Sequence, residues 1–125
     1  MLTFEETQEI LDQLVTELPP GILKGLNCGV SLRENTLYGQ TGLVILGQYH
    51  FEPYGLGRYV TINYGSMIAC HGHLPPEKFI DKLRDVLHHE LTHHLEHQAG
   101  DRSLEKQDEI DVQKMLAKRF RLKRE

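Results

Sequence analysis

The most constraining segment of this chain is a histidine-rich run between residues 88 and 97. It reads HHELTHHLEH and holds five of the eight histidines in the sequence. Within it, His89, Glu90 and His93 follow the pattern H-E-x-x-H. On an α-helix, residues four positions apart stand on one face about one turn from each other. Two imidazoles can then reach a single metal ion, so the spacing indicates a metal site.

The residues around the run have the pattern of an amphipathic helix. The proline pair at 75–76 begins it, since proline is tolerated in a first helical turn, and Gly100 is expected to end it. An apolar stripe at helical spacing is expected to pack on a sheet; it consists of Ile80, Leu83, Leu87, Leu91 and Leu95. His89 and His93 lie at the margin of this stripe, which predicts that they face a cleft.

The rest of the chain predicts an α+β fold. Apolar residues recur at helical spacing from residue 4 to 18, and Pro19-Pro20-Gly21 ends that helix. Short β-branched and aromatic runs predict three strands, at 30–32, 43–49 and 58–64. Turn residues between the last two favour an antiparallel pair. With a final helix at about 104–120, we expect one domain over residues 1–125 and a mixed sheet of three to four strands.

Composition limits the classes of function. The chain has 125 residues, of which 39% are hydrophobic and 26% charged, as is ordinary for one globular domain. No segment approaches the roughly 18 apolar residues of a transmembrane helix, and the N-terminus lacks a leader pattern, so we expect a cytoplasmic protein with no membrane partner. We interpret the basic C-terminal end as a solvated helix face, and expect no nucleic-acid partner.

The H-E-x-x-H residues have the chemistry of a metal-dependent hydrolase. Neutral His89 and His93 would be two ligands of one catalytic Zn²⁺, which needs a third protein ligand and keeps a position for water. The metal lowers the pKa of that water to about 7. Glu90 can then take the proton as general base and deliver it to a leaving amine.

The third metal ligand is open between two acids. Glu96 and His97 share roughly the ligand face, but three ligands on one straight helix would spread over more than about 10 Å. Acids beyond the expected turn at Gly100 are better placed for one ion. Asp101 is our candidate, and Glu105 is the alternative.

Several segments resemble a known family, the small bacterial zincin-like metallopeptidases. The resemblance rests on YGLGRY at 54–59, NYGS at 63–66, VLHHELTHHLE at 86–96 and AGD at 99–101, and covers most of the chain from about residue 19. It implies a minimal zincin fold in an intracellular protein, with His89 and His93 as metal ligands and Glu90 as the catalytic acid/base. It also implies that an edge strand of the sheet binds an extended peptide by backbone pairing.

The chain departs from the metzincin pattern HExxHxxGxxH, because Glu96 replaces the glycine and Ala99 the third histidine. Our leading hypothesis is therefore a zinc-dependent metallopeptidase of a different zincin type, acting on a peptide or protein substrate. Candidates for stabilising the oxyanion are Tyr59, Tyr64 and His71.

Two alternative functions stay open. One is a metal-dependent endoribonuclease that uses three histidines on a similar helix, against which Glu90 and the absence of a third histidine at H-x-x-x-H-x-x-x-x-x-H argue. The other is a non-catalytic module that binds metal or peptide.

Overall fold

Three α-helices and a three-stranded mixed sheet make up residues 1–101, the part of the chain that the computed structural model describes. The elements in chain order are α1 Phe4–Thr16, a 3-10 helix Pro20–Leu23, β1 Val30–Arg33, β2 Gly47–Glu52, β3 Gly57–Asn63, α2 Tyr64–His71 and α3 Pro76–Asp101. The predicted α+β class and mixed sheet are confirmed. The predicted helix at 104–120 and Glu105 lie outside the described residues.

The first helix begins at a capping box. The Thr3 side chain accepts a hydrogen bond from the Glu6 backbone N–H at 3.1 Å, and the Glu6 carboxylate accepts one from the Thr3 N–H at 2.9 Å. Two otherwise unpaired backbone groups are thereby satisfied. Leu11 and Leu14 of α1 are buried and belong to the main hydrophobic core. The helix ends at Thr16, slightly before the expected limit.

The sheet has the strand order β1-β3-β2. β1 is parallel to β3, with Val30 opposite Val60, and β2 is antiparallel to β3, with Tyr49 opposite Val60. The predicted antiparallel pair is therefore confirmed. β2 is an edge strand of this sheet, so one side of its backbone is not paired within it.

The bounds of β2 differ from the prediction, because the strand begins at Gly47 and continues to Glu52. Residues 43–46 belong instead to the preceding loop. Val44 pairs with Tyr38 in an isolated antiparallel bridge, and Leu43 is 73% exposed. The apolar run predicted that the strand begins at residue 43, but the local bridge makes this segment a small hairpin of its own.

The helix α2 was not predicted from the sequence. It is only eight residues long and contains Gly65, which weakens a helical pattern. Gly65 is required by a close approach, since a Cβ at this position would lie 2.3 Å from the Thr36 Oγ1. In the same contact, the Ser66 hydroxyl accepts a hydrogen bond from the Leu37 N–H at 2.9 Å. Tertiary contacts with the loop before β2 therefore fix α2.

The long helix α3 carries the histidine-rich run and buries the predicted leucine stripe. Its four leucines have no exposed surface and join the core; they are Leu83, Leu87, Leu91 and Leu95. Phe79 is also buried, whereas Ile80 is half-buried. Within residues 1–101, no helix is long and apolar enough to cross a membrane.

The predicted end of this helix at Gly100 is wrong. The helix continues through Gly100 to Asp101. Gly100 is not among the glycines with positive φ, and a Cβ on it would meet no atom within 4 Å. Neither backbone conformation nor packing therefore requires a turn at this glycine.

Candidate metal centre

The structure brings the two predicted metal ligands together. His89 and His93 are both exposed, and their Nε2 atoms are 3.1 Å apart. Their ring planes are nearly perpendicular, at 88°. Two nitrogens bound to one tetrahedral Zn²⁺ at about 2.0–2.1 Å would be separated by about 3.3 Å. The observed separation is within a few tenths of an ångström of that value, so the pair fits one ion.

Glu90 stands beside this pair but is turned into the protein, with 6% of its surface exposed. Burial raises the pKa of its carboxyl group, while the charges of His89 and His93 act in the opposite direction. A carboxylate with a raised pKa is a better proton acceptor near neutral pH than an exposed one. Glu90 is therefore a buried carboxyl group with a raised pKa next to the histidine pair.

The cleft in front of these residues lies between β2 and α3 and has a volume of about 690 Å³. It is lined by Gly47, Gln48 and Tyr49 of β2 and by His89, Glu90, His93, Glu96 and His97 of α3. This volume lies within the range of small-molecule binding pockets.

The strand β2 runs alongside α3 in the same direction. Gly47 lies against Val86 and Glu90, where a Cβ would be 2.8 Å from the Val86 Cγ1 and 3.2 Å from the Glu90 Cγ. Further along, the Tyr49 ring is 5.7 Å from the His97 ring. Because Gly47 has no side chain, β2 can approach α3 closely at Glu90. The cleft runs along this edge strand.

One histidine of each adjacent pair is buried. His88 and His94 were expected to be surface residues or to support the site from behind, and the surface position is wrong. His94 has no exposed surface and His88 only 1%. Their spacing could have indicated this, because His94 follows Leu87 by seven residues and His88 precedes Leu95 by seven, which is two turns of the same face.

His94 connects α3 to two other parts of the fold. Its Nε2 lies 2.8 Å from the Lys24 carbonyl oxygen, and its Nδ1 lies 2.9 Å from the Tyr49 hydroxyl. A carbonyl can only accept, so Nε2 carries the proton and Nδ1 accepts from the hydroxyl. His94 therefore holds Tyr49, a residue of the cleft wall, from within the core.

The three residues predicted to stabilise an oxyanion do not line the cleft. Tyr59 stacks on His50, with ring centroids 4.4 Å apart, on the sheet face away from α3. The Tyr64 hydroxyl donates to the Leu2 carbonyl oxygen near α1, and His71 ends α2. Tyr49 and His97 stand at the cleft instead. The alternation of β2 from Gly47 could have indicated Tyr49.

The predicted third ligand, Asp101, is the last residue of α3, and its side chain lies outside the described residues. Its backbone lies eight residues beyond His93 along the helix. Among the described side chains, no three from histidine, cysteine, aspartate or glutamate are grouped so that they could hold a metal ion. The alternative, Glu105, also lies outside the described residues.

Comparison with known proteins gives information on the fold and none on the activity. No family model and no curated protein matches this chain. A solved structure of a conserved hypothetical protein from Thermus thermophilus is similar, with a TM-score of 0.68 and 28% sequence identity. The match covers 79% of this chain and 99% of that one. The two chains therefore share their fold over nearly the whole of the second protein.

The buried His94 predicts acid-sensitive stability. Burial lowers the pKa of His94 from its ordinary 6.5, so below that pH the unfolded chain binds a proton that the folded chain excludes. The free energy of unfolding of the metal-free protein should therefore fall as the pH is lowered from 7.5 to about 5. Urea denaturation at several pH values measures it. His94→Gln should make the free energy of unfolding less dependent on pH, whereas the control His73→Gln, at an exposed residue, should not. The same pH dependence in the wild type and both variants would contradict the effect assigned to His94.

The close contact at Gly47 gives a second prediction. Gly47→Ala adds a methyl group against Val86 and Glu90 and should reduce the free energy of unfolding by about 1–3 kcal/mol. Gly39→Ala is the matched control, since its nearest neighbour would be at 3.6 Å, an ordinary contact. Urea denaturation compares them. A Gly47 variant as stable as the control would show that β2 does not press on α3 there.

Proposed function

We propose that this protein is a zinc-dependent metallopeptidase, with His89 and His93 as metal ligands and Glu90 as general acid/base. The observation that carries the proposal is the 3.1 Å separation of the two Nε2 atoms in a cleft beside an edge strand. The buried carboxylate of Glu90 next to the pair supports it.

The histidine pair would hold the ion through the two Nε2 atoms, as neutral imidazoles. Their exposure leaves room for further ligands. We propose that the third protein ligand is Asp101, with Glu105 as the alternative. When bound, Zn²⁺ supplies a Lewis acid that polarises a carbonyl group and lowers the pKa of water.

Glu90 would act on protons at both stages of hydrolysis. Its carboxylate accepts a proton from the attacking water and later gives the same proton to the amine that leaves. This group lies one residue after His89, beside the ligands but turned inward. This position would favour proton transfer over metal binding, because a carboxylate turned inward would stand beside a bound ion without serving as its ligand.

The edge strand β2 would supply the substrate-binding surface. An edge strand has unpaired backbone donors and acceptors, to which an extended peptide can add as a further strand. Because β2 runs alongside α3, a peptide on that edge would pass the histidine pair near Gly47 and Tyr49. Main-chain pairing makes the fit independent of most substrate side chains, so we propose unfolded or extended protein segments as substrates.

Loss of either ligand should remove zinc binding. We expect His89→Ala and His93→Ala each to weaken Zn²⁺ affinity at least about a hundredfold, more than is typical of supporting residues. Isothermal titration of the full chain with Zn²⁺ measures this. His73→Ala, at an exposed histidine outside the cleft, is the control. Wild-type affinity in either ligand variant would reject the site.

The role of Glu90 is tested separately from metal binding. Glu90→Gln keeps the side-chain shape but cannot accept the proton, so we expect unchanged zinc content and a loss of peptide cleavage of roughly 10²-fold or more. Metal analysis and digestion of a mixed peptide library give the two readouts. Glu77→Gln, at an exposed glutamate in the first turn of α3, is the control.

The outcomes separate the candidate functions. Equal cleavage by Glu90→Gln and the wild type would refute the mechanism. Zinc binding without cleavage of any library peptide would favour the non-catalytic module, and zinc-dependent cleavage of RNA would favour the endoribonuclease.

A further inference from the structure

His97 lies one helical turn beyond His93 and lines the same cleft. The Arg58 side chain donates a hydrogen bond from Nε to the His97 Nδ1 at 3.1 Å. The His97 ring also contacts Phe51, with ring centroids 4.5 Å apart, and Tyr49 at 5.7 Å. These contacts hold the imidazole on three sides.

The bond from Arg58 fixes which ring nitrogen carries the proton. An arginine Nε always bears hydrogen and can only donate, so the His97 Nδ1 must be the acceptor. The proton of the neutral ring is therefore on Nε2. A protonated nitrogen is a hydrogen-bond donor and cannot bind a metal. His97 thus differs in chemistry from His89 and His93, although all three line one cleft.

Arg58 is itself held in place by Asn27, in the loop before β1, and by Phe51 of β2. Its backbone N–H donates to the Asn27 Oδ1 at 2.9 Å, and its guanidinium carbon lies 4.9 Å from the centre of the Phe51 ring. The donor that orients His97 is therefore fixed before any ligand arrives, which reduces the entropy lost on binding.

The position of His97 along the cleft sets what it can reach. The axial rise from His93 to His97 is about 6 Å, and an extended peptide advances about 3.3 Å per residue. A peptide along β2 would thus meet His97 about two residues from the point opposite the histidine pair. In an antiparallel ladder, alternate carbonyl oxygens are not bonded to the neighbouring strand and need another donor.

We propose that His97 is a substrate-binding residue, whose Nε2–H donates to a backbone carbonyl oxygen of the peptide about two residues from the scissile bond. Arg58 is a positioning residue that sets the tautomer of His97. The inference rests on the proposed peptidase function and assigns to it the recognition of the substrate main chain.

The first experiment compares two substitutions of His97 in the zinc-loaded full chain. Glutamine carries an N–H at a reach similar to that of Nε2, whereas leucine has no donor. His97→Leu should raise KM roughly tenfold, the worth of one hydrogen bond, with kcat and zinc content near wild type. His97→Gln should stay within about threefold of wild type in KM. His73→Leu controls for the loss of a histidine elsewhere.

Two results of this experiment would overturn the proposal. Zinc lost from both His97 variants would make the residue a metal ligand. A glutamine variant as impaired as the leucine variant would show that no N–H donor is needed.

The second experiment reads the tautomer without turnover. In ¹⁵N-labelled full-length protein, two-bond ¹⁵N–¹H spectra should show a protonated Nε2 and a bare Nδ1 for His97, both with and without zinc. Arg58→Met removes the orienting donor and should produce a mixture of tautomers. A proton on Nδ1 in the wild type, or a metal-bound shift of either nitrogen on adding zinc, would refute the assignment.

The failure of this inference is distinguishable from the failure of the proposed function. If the zinc-loaded protein cleaves no peptide, the proposed peptidase function is refuted. The role of His97 is then tested by peptide binding alone. Acetyl-tetra-alanine amide, which offers only main-chain acceptors, is added to the zinc-loaded protein. A downfield shift of the His97 Nε2 proton supports main-chain recognition, and no shift at the solubility limit of the peptide overturns it.

Discussion

The burial of the leucine face of α3 is the constraint on which the rest of the structure depends. Leu87 and Leu91 have no exposed surface, and they fix the rotation of the helix about its own axis. Each residue advances about 100° around that axis, so every other side chain is oriented once the leucines are inside. His89 and His93 must then lie on the exposed side of the helix, away from the leucines, and Glu90 must stay close to the core. The geometry of the candidate site is therefore a consequence of apolar packing.

Much of this arrangement could be predicted from the sequence, because it depends on periodicity. The long helix, its buried stripe and the antiparallel pair of strands all follow from local patterns. What could not be predicted depends on tertiary contacts. The helix α2 exists because its glycine admits a neighbouring loop, and the start of β2 depends on the bridge between Tyr38 and Val44. The prediction of a turn at Gly100 failed because it used only the presence of a glycine. Neither the backbone conformation nor the packing at this position requires a glycine.

The histidines of the run illustrate how location decides the chemistry of one residue type. His89 and His93 are exposed and lie next to each other, as two ligands of one metal ion would. His94 is buried with both nitrogens bonded, and serves packing and connection. His97 is half-buried and tied to Arg58, which makes it a donor. A count of histidines could not separate these positions, because the contacts of His94 and His97 are with residues distant in sequence.

The close approach at Gly47 makes the cleft unequal along its length. At that end the strand presents main chain alone, because a side chain would collide with α3. Toward Phe51 the wall gains aromatic rings. A molecule lying along β2 would therefore meet strand backbone beside Glu90 at one end and aromatic side chains at the other. Substitutions at the aromatic end alone can therefore change which molecules the cleft accepts. The end beside Glu90 keeps its shape, because Gly47 cannot be replaced there without a collision.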